Sequence, residues 1–186
     1  MTGTAKLKPL VIGKSRNPRA FKNVRSLLVD YRWNQKAWMT SAIFTEWLLQ
    51  LEKKMKEQKR HIAVILDNCS AHSKVPKMTY VKVLLLPPNC TSVLQPLDQG
   101  IIRSLKSHYR RRMLEEILIN IEAKVPKPTN IDIRQAIEML TGAWRSVMQE
   151  VVETCWRKAW FIESRDDGTI FTAANCCDEP ESLQRA

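Results

Sequence analysis

Hydrophobic residues recur every three to four positions along several stretches of the chain, which is the spacing of an amphipathic helix. In the stretch 38–57 the apolar residues fall on one face, and Thr40 is placed to cap the start of the helix. A long helix is predicted to begin near Asp98, and further helical patterns follow the proline-containing linker AKVPKPTN. The predicted helices are 38–57, 98–120, 131–148 and 151–161.

Short runs of consecutive apolar residues predict strands. The run at 61–66 is typical of a strand buried on both faces, and it ends directly in Asp67. The run at 80–86 stops at two prolines, and the run at 6–13 contains a proline that favours an edge strand or a bend. Because a short crossover joins the first two runs and helices flank them, we expect a parallel pair within an α/β fold. Residues 14–36 are basic and predicted to be irregular.

The composition fits one domain followed by a tail. A chain of 186 residues with 44% hydrophobic residues can form a core. No apolar stretch approaches the about 20 residues of a membrane span, and the N-terminus lacks a signal-peptide pattern. We therefore expect a soluble intracellular protein with no membrane partner. Residues 1–162 form the predicted domain, and the acidic, polar residues 163–186 are predicted to be disordered.

The cysteines support neither a disulfide framework nor a structural zinc site. There are five, an odd and scattered set. Cys69 and His72 make a C-x-x-H pair, but no second pair at zinc-ligand spacing follows.

The net charge of +11 is unevenly distributed along the chain. Residues 1–66 carry +10, residues 67–128 carry +5, and residues 129–186 carry −4. A basic front two-thirds suits a polyanionic partner such as nucleic acid. A solvated lysine surface explains the charge equally well, so charge alone does not decide.

Two aspartates lie where metal ligands are found in α/β proteins. Asp67 follows a strand, where it could equally close a turn, and Asp98 opens a helix, where an acid also suits the helix dipole. Together they gain weight, because ligands bind at the carboxyl ends of strands in α/β sheets. Carboxylates that meet there can hold the divalent cations of phosphoryl-transfer sites.

Three segments carry a family resemblance. The sequences ILDNCSAH, LLLPPNCTSVLQPLDQGIIRSLKSHYRR and KAWMTSAIFTEWL closely resemble the DDE superfamily endonuclease domain of Tigger/pogo-type transposases. Relatives of these transposases include Tigger-derived, Jerky-like and centromere-protein-B-like proteins. The resemblance covers about residues 5–162 and implies an RNase H-like fold with a mixed sheet and flanking helices. It also implies a carboxylate triad that uses Mg²⁺ or Mn²⁺ to cleave DNA phosphodiesters.

Carried over by motif, Asp67 matches the second acid of the family and Asp98 the third. The first acid belongs upstream of the segment KLKPLVIG, which begins here at residue 6. The first strand, most of the second and the N-terminal DNA-binding modules of the family have no counterpart in this sequence. Asp30 lies after the segment where the first acid belongs and does not replace it.

The resemblance therefore implies a DNA-binding remnant of a domesticated transposase domain that is catalytically inactive and located in the nucleus. Two alternatives remain: a protein-interaction or dimerisation module, and an endonuclease completed by an acid from outside this chain. Any metal retained would be Mg²⁺ or Mn²⁺ on Asp67 and Asp98, and otherwise no cofactor is expected.

Basic side chains are predicted to contact DNA phosphates. Asn68 and His72 are candidates for positions beside the acids, although a structural hydrogen bond explains His72 at least as well. An ordinary solvated helix face explains the basic residues on the 98–120 helix equally well. In the RNase H-like arrangement, strand 61–66 would lack a neighbour on one side, and an unpaired edge favours association. We expect either residues 6–13 to pair with this edge or another chain to do so, which would be self-association. The predicted phosphate contacts are Lys74, Lys77, Arg103, Lys106, Arg110 and Arg111.

Overall fold

The computed structural model describes residues 3–72 and 74–161, with only the backbone of Thr91 and Ser92. The predicted tail 163–186 lies outside the described residues. A π-helical turn at Leu97–Ile101 precedes the longest helix, and 3₁₀ turns lie at Arg19–Phe21 and Ser70–His72. The strands are β1 (Leu10–Gly13), β2 (Asp30–Trp33), β3 (Ile62–Leu66) and β4 (Val81–Leu85). The helices are α1 (Ser41–Glu57), α2 (Thr91–Leu94), α3 (Ile102–Glu122), α4 (Ile133–Ser146) and α5 (Gln149–Lys158).

The described strands form two separate parallel pairs rather than one mixed sheet. β3 pairs with β4 in the register Ile62 to Val81, which confirms the predicted parallel pair. β1 pairs with β2, so residues 6–13 do not dock beside strand 61–66 as one prediction offered. Within the described residues, β3 has a strand neighbour on one side only.

The strand β2 contradicts the prediction that residues 14–36 are irregular. Its Asp30 forms an ion pair with Lys8 at 3.2 Å, beside the β1 pairing. Tyr31 packs edge-on against Phe21, with 4.9 Å between ring centroids, and its hydroxyl donates to the carbonyl of Ser15 at 2.7 Å. These contacts join residues distant in sequence and produce no regular spacing of hydrophobic residues, so the hydrophobic pattern did not predict the strand.

Helix α1 covers one face of the β3–β4 pair. Thr40 caps the helix as predicted, accepting a hydrogen bond from the Ile43 backbone N–H at 3.3 Å. The core side chains Phe44 and Leu48 are almost fully buried against this face. Within the described part of the chain, no equivalent helix covers the opposite face, and there no residue of β3 is fully buried and Leu84 of β4 is 40% exposed. The prediction of a strand buried on both faces is therefore wrong.

A glutamate of α1 fixes the beginning of β4. The Glu52 carboxylate accepts hydrogen bonds from the backbone N–H groups of Thr79 at 2.9 Å and Val81 at 2.8 Å, and Tyr80 donates to both of its oxygens. Partial burial raises the pKa of Glu52, but these three N–H donors and nearby His61 lower it by more, so the pKa lies below its usual value.

A second core joins the π-helical turn to the end of the described chain. Ile101, Val147 and Cys155 are buried together, with Trp144 and Trp156 packed around them. Burial raises the pKa of the Cys155 thiol, although a backbone hydrogen bond and the charge of Lys158 oppose the shift. This core positions the start of α3, where Asp98 lies.

Gly100 permits a kink inside the Leu97–Ile101 turn, just before α3 begins. Its φ is +146°, a conformation that side chains with a Cβ rarely adopt. A Cβ at this position would also lie 3.2 Å from Sγ of Cys155. The glycine of the DQG sequence is thus explained by the backbone path.

The N-terminal segment packs on α4 through a lysine. The Nζ of Lys6 donates to the carbonyl of Trp144 at 3.0 Å and to that of Val147, beyond the end of the helix, and it lies 5.3 Å from the Trp144 ring centroid. The indole N–H of Trp144 donates in turn to the carbonyl of Leu7 at 3.1 Å. Because a cation is favourable at a helix C-terminus, the charge of Lys6 stabilises the end of α4.

Candidate functional site

The loop after β3 gathers three side chains with ligand-forming atoms. The Nδ1 atom of His72 lies 2.8 Å from Oδ1 of Asp67 and 3.2 Å from Sγ of Cys69. It also lies 3.2 Å from the backbone carbonyl of Asp67. The His72 side chain is 16% exposed and the Asp67 side chain 37%, so the cluster lies at the surface of the fold.

The local backbone explains why Cys69 and His72 meet. The backbone N–H of His72 donates to the carbonyl of Cys69 at 3.0 Å, closing a 3₁₀ turn. Residues three apart eclipse each other in such a turn, so both side chains lie on the same side. Helix α1 holds the loop, because the hydroxyls of Ser41 and Thr45 donate to the carbonyls of Ser70 and Lys74 at 3.3 and 3.1 Å.

Asp98 lies in a different feature, an open groove of about 810 Å³ along α3. Asp98 is exposed at the beginning of the groove, and Leu114 and Leu118 line the other end of the groove. Arg111 forms an ion pair with Glu115 at 2.9 Å. The other three cations of the groove form no ion pair with any described residue. The basic residues that line the groove are Arg103, Lys106, Arg110 and Arg111.

The predicted site residues therefore divide between the loop and the groove. Neither Asp67 nor His72 lines the groove, and Asp98 is not a member of the cluster around His72. Lys74 and Lys77 are exposed on the loop that leads to β4, and Asn68 is exposed beside Asp67. Four of the six predicted phosphate contacts lie together in the groove, and the remaining two lie apart from it.

Among the described residues, Asp67 belongs to the cluster around His72 and Asp98 to the α3 groove, so the joint Mg²⁺ or Mn²⁺ site that the family implies stays a prediction. Mg²⁺ is held by oxygen ligands, whereas a thiol and an imidazole surround the carboxylate of Asp67. Asp98 shares its groove with four cations instead of a second carboxylate from the β3 loop. No chemical step through such a metal is derived from this arrangement.

Sequence reasoning did not predict that Cys69 lies with His72 and Asp67 in one cluster. Its signal was present in the C-x-x-H spacing, but without a second pair the spacing carried little weight. Asp67, the third residue of the cluster, lies two residues before Cys69, and the sequence analysis matches it to the second acid of the family.

Comparison with known proteins defines the class of this chain. The model of the DDE superfamily endonuclease family matches residues 1–156. The chain therefore belongs to this family, and it is a transposase-derived DDE domain of α/β type. No solved structure matches the chain, and no helix of the described residues has the length and apolar character needed to cross a bilayer.

Individual relatives extend the match over most of the chain. Tigger transposable element-derived protein 4 of Mus musculus is 35% identical over 93% of this chain, and the match covers 33% of that protein. Jerky protein of Mus musculus is 31% identical over 95% of the chain, covering 32% of that protein. Major centromere autoantigen B of Homo sapiens is 29% identical over 86% of the chain, covering 26% of that protein. The chain thus spans a third or less of the length of these relatives.

Proposed function

We propose that this chain binds duplex DNA through the phosphate backbone, with the α3 groove as its contact surface. The observation that carries the proposal is the row of Arg103, Lys106 and Arg110 on one helix without ion-pair partners among the described residues. Such side chains neutralise phosphates and fix register without reading bases. Lys74 and Lys77 supply two further exposed cations, which lie outside the groove on the β3–β4 loop. A relative named as a centromere autoantigen supports a nuclear location for this chain too.

The proposal includes catalytic inactivity of the chain by itself. Cleavage in this family requires carboxylates that hold metal ions about 3.5–4 Å apart. Here Asp67 is paired with His72, and Asp98 faces the basic groove. We expect each acid to bind Mg²⁺ or Mn²⁺ weakly and separately. We also propose an RNase H-like arrangement for this domain, in which the parallel β3–β4 pair lies at the centre.

A binding assay with matched variants tests the groove. Fluorescence anisotropy with a labelled duplex should show that Lys106→Ala with Arg110→Ala weakens binding alike on unrelated sequences. The control, Lys53→Ala with Lys56→Ala, removes two exposed charges from another helix, α1, and should bind like the unaltered chain. Equal losses in both variants would show that net charge, and not the groove, drives binding.

A nicking assay tests inactivity. The chain should leave supercoiled plasmid intact with Mg²⁺ or Mn²⁺. Reproducible nicking that Asp67→Asn and Asp98→Asn each abolish would establish instead an endonuclease, and repeating the assay with an upstream segment supplied would locate an acid from outside this chain.

The second candidate function is a protein-interaction or dimerisation module. It is favoured by apolar residues on α3 at helical spacing, since Leu114, Leu118 and Ile121 are 56%, 58% and 53% exposed. Exposed apolar residues that adjoin one another mark interaction surfaces. A stable oligomer without salt-sensitive DNA binding would favour this function over the first.

A further inference from the structure

The cluster of Asp67, Cys69 and His72 has a donor set that the DDE chemistry does not use. Its ligand atoms, one carboxylate oxygen, one thiol sulfur and one imidazole nitrogen, all lie within 4.8 Å of one another. We propose that this cluster binds Zn²⁺, or a transition-metal ion with similar ligand preferences, in place of the Mg²⁺ that the family implies. This inference does not depend on DNA binding by the α3 groove.

The donor chemistry selects the ion. Zn²⁺ takes thiolate, imidazole and carboxylate ligands in a tetrahedral site, whereas Mg²⁺ requires oxygen ligands in octahedral geometry. Three protein ligands leave the fourth tetrahedral position to water, and the partial exposure of Asp67 and Cys69 gives solvent access to that position. The pair of Cys69 and His72 that looked incomplete in the sequence thus gains its third ligand from Asp67.

The spacing of the donor atoms requires only a small adjustment. Zn²⁺ bonds of about 2.0–2.3 Å place tetrahedral ligand atoms about 3.3–3.6 Å apart. The observed separations from Nδ1 of His72, 2.8 Å to Asp67 and 3.2 Å to Cys69, are hydrogen-bond distances. On binding, the Cys69 thiol loses its proton to solvent, and the neutral His72 ring, with its one proton on Nε2, presents Nδ1 to the ion in place of its hydrogen bond to Asp67.

The surrounding structure holds the cluster in place. The ring of His72 lies against Phe44, with 4.4 Å between centroids, and Phe44 belongs to the buried face of α1. The 3₁₀ turn sets Cys69 and His72 on one side, and the hydrogen bond from Ser41 to Ser70 anchors that turn to the helix. A preorganised loop of this kind reduces the entropy lost on binding.

Titration with Co²⁺ tests the site, because a tetrahedral Co²⁺–thiolate site shows sulfur-to-metal charge-transfer and visible d–d absorption. The chain should carry Cys176→Ser and Cys177→Ser, so that two adjacent cysteines cannot produce the signal. We expect one Co²⁺ per chain, displacement by Zn²⁺ and no displacement by excess Mg²⁺. Cys69→Ser should abolish the charge-transfer band. Asp67→Asn should keep it while weakening affinity about tenfold or more, because even partners outside the ligand shell contribute this much.

A control variant at a histidine outside the cluster and a measurement of thermal stability complete the test. His61→Gln serves as the control, because His61 stacks on Tyr80 and is not part of the cluster. It should bind Co²⁺ normally, and Zn²⁺ should raise the melting temperature of this control but not of Cys69→Ser. Absence of the bands, their persistence in Cys69→Ser, or displacement of Co²⁺ by Mg²⁺ would each overturn the proposal.

Discussion

The salt dependence of DNA binding measures how many phosphates the α3 groove contacts. Three groove cations, Arg103, Lys106 and Arg110, have no ion-pair partner among the described residues, while Arg111 is paired with Glu115. If each of the three neutralises one phosphate, the slope of log affinity against log salt is about −2.7. An increase from about 50 to about 200 mM sodium chloride then weakens binding about 40-fold.

Removing two of the three cations changes the slope by a predictable amount. The variant with Lys106→Ala and Arg110→Ala retains one contact, so its slope should be about −0.9, and the same increase in salt should weaken its binding only about 3.5-fold. The control with Lys53→Ala and Lys56→Ala should keep the slope of the unaltered chain. Fluorescence anisotropy at four or more salt concentrations, on two duplexes of unrelated sequence, supplies the slopes.

Three results would refute this reasoning. An unchanged slope in the groove variant would place the phosphate contacts elsewhere, with Lys74 and Lys77 the next candidates. A flat slope for the unaltered chain would exclude binding through phosphates altogether. A loss confined to one duplex would indicate base reading, which backbone contacts cannot provide.

Three further predictions concern the fold. Glu52→Gln should lower the melting temperature near neutral pH, because the carboxylate accepts three backbone hydrogen bonds. Since the folded pKa of Glu52 is depressed, its stabilisation is present above the usual pKa of about 4.3 and lost as the pH falls through the folded value. The deficit should therefore shrink in acid, and a constant deficit from neutral to acid pH would contradict the assignment. Gly100→Ala should cost about 1–3 kcal/mol in denaturant titrations, because φ is +146° there. Its control, Gly142→Ala, meets only the movable end of Arg112 and should be neutral or stabilising. Leu118→Glu should reduce any self-association seen by sedimentation, and equal association in this variant would exclude the exposed apolar residues Leu114, Leu118 and Ile121 of α3 as the interface.

The strongest periodic patterns predicted their elements well. Helix 38–57 was expected from its apolar face and cap, and the structure begins it at Ser41 directly after the Thr40 cap. The parallel β3–β4 pair was expected because a short connection and flanking helices restrict how two apolar strands can meet. In both cases residues close in sequence determine the element.

Features that depend on distant contacts escaped prediction. Lys6 reads as one of many surface charges, yet it stabilises the end of α4, about 140 positions away. The joint site of Asp67 and Asp98 was predicted from their positions at a strand end and a helix start, and the family resemblance strengthened it. The structure places Asp67 in the His72 cluster and Asp98 in the α3 groove, and the joint site stays a prediction. No local pattern reports how far apart two loops lie in the folded chain.

Two exposed apolar surfaces, the second face of the β3–β4 pair and the apolar residues of α3, bear on how Asp67 and Asp98 could come together. A parallel sheet is normally covered by helices on both faces. Among the residues that the structure describes, α1 alone covers the β3–β4 pair, and Leu84 on the other face is 40% exposed. On α3, Leu118 is 58% exposed. In the proposed RNase H-like arrangement a helix covers the second face of the sheet, and α3 carries both the apolar residues and the length for that position. Because Asp98 lies at the start of α3 and Asp67 at the end of β3, the same packing would determine the distance between the two acids. Covering of this face and assembly of a carboxylate site would therefore be a single structural event.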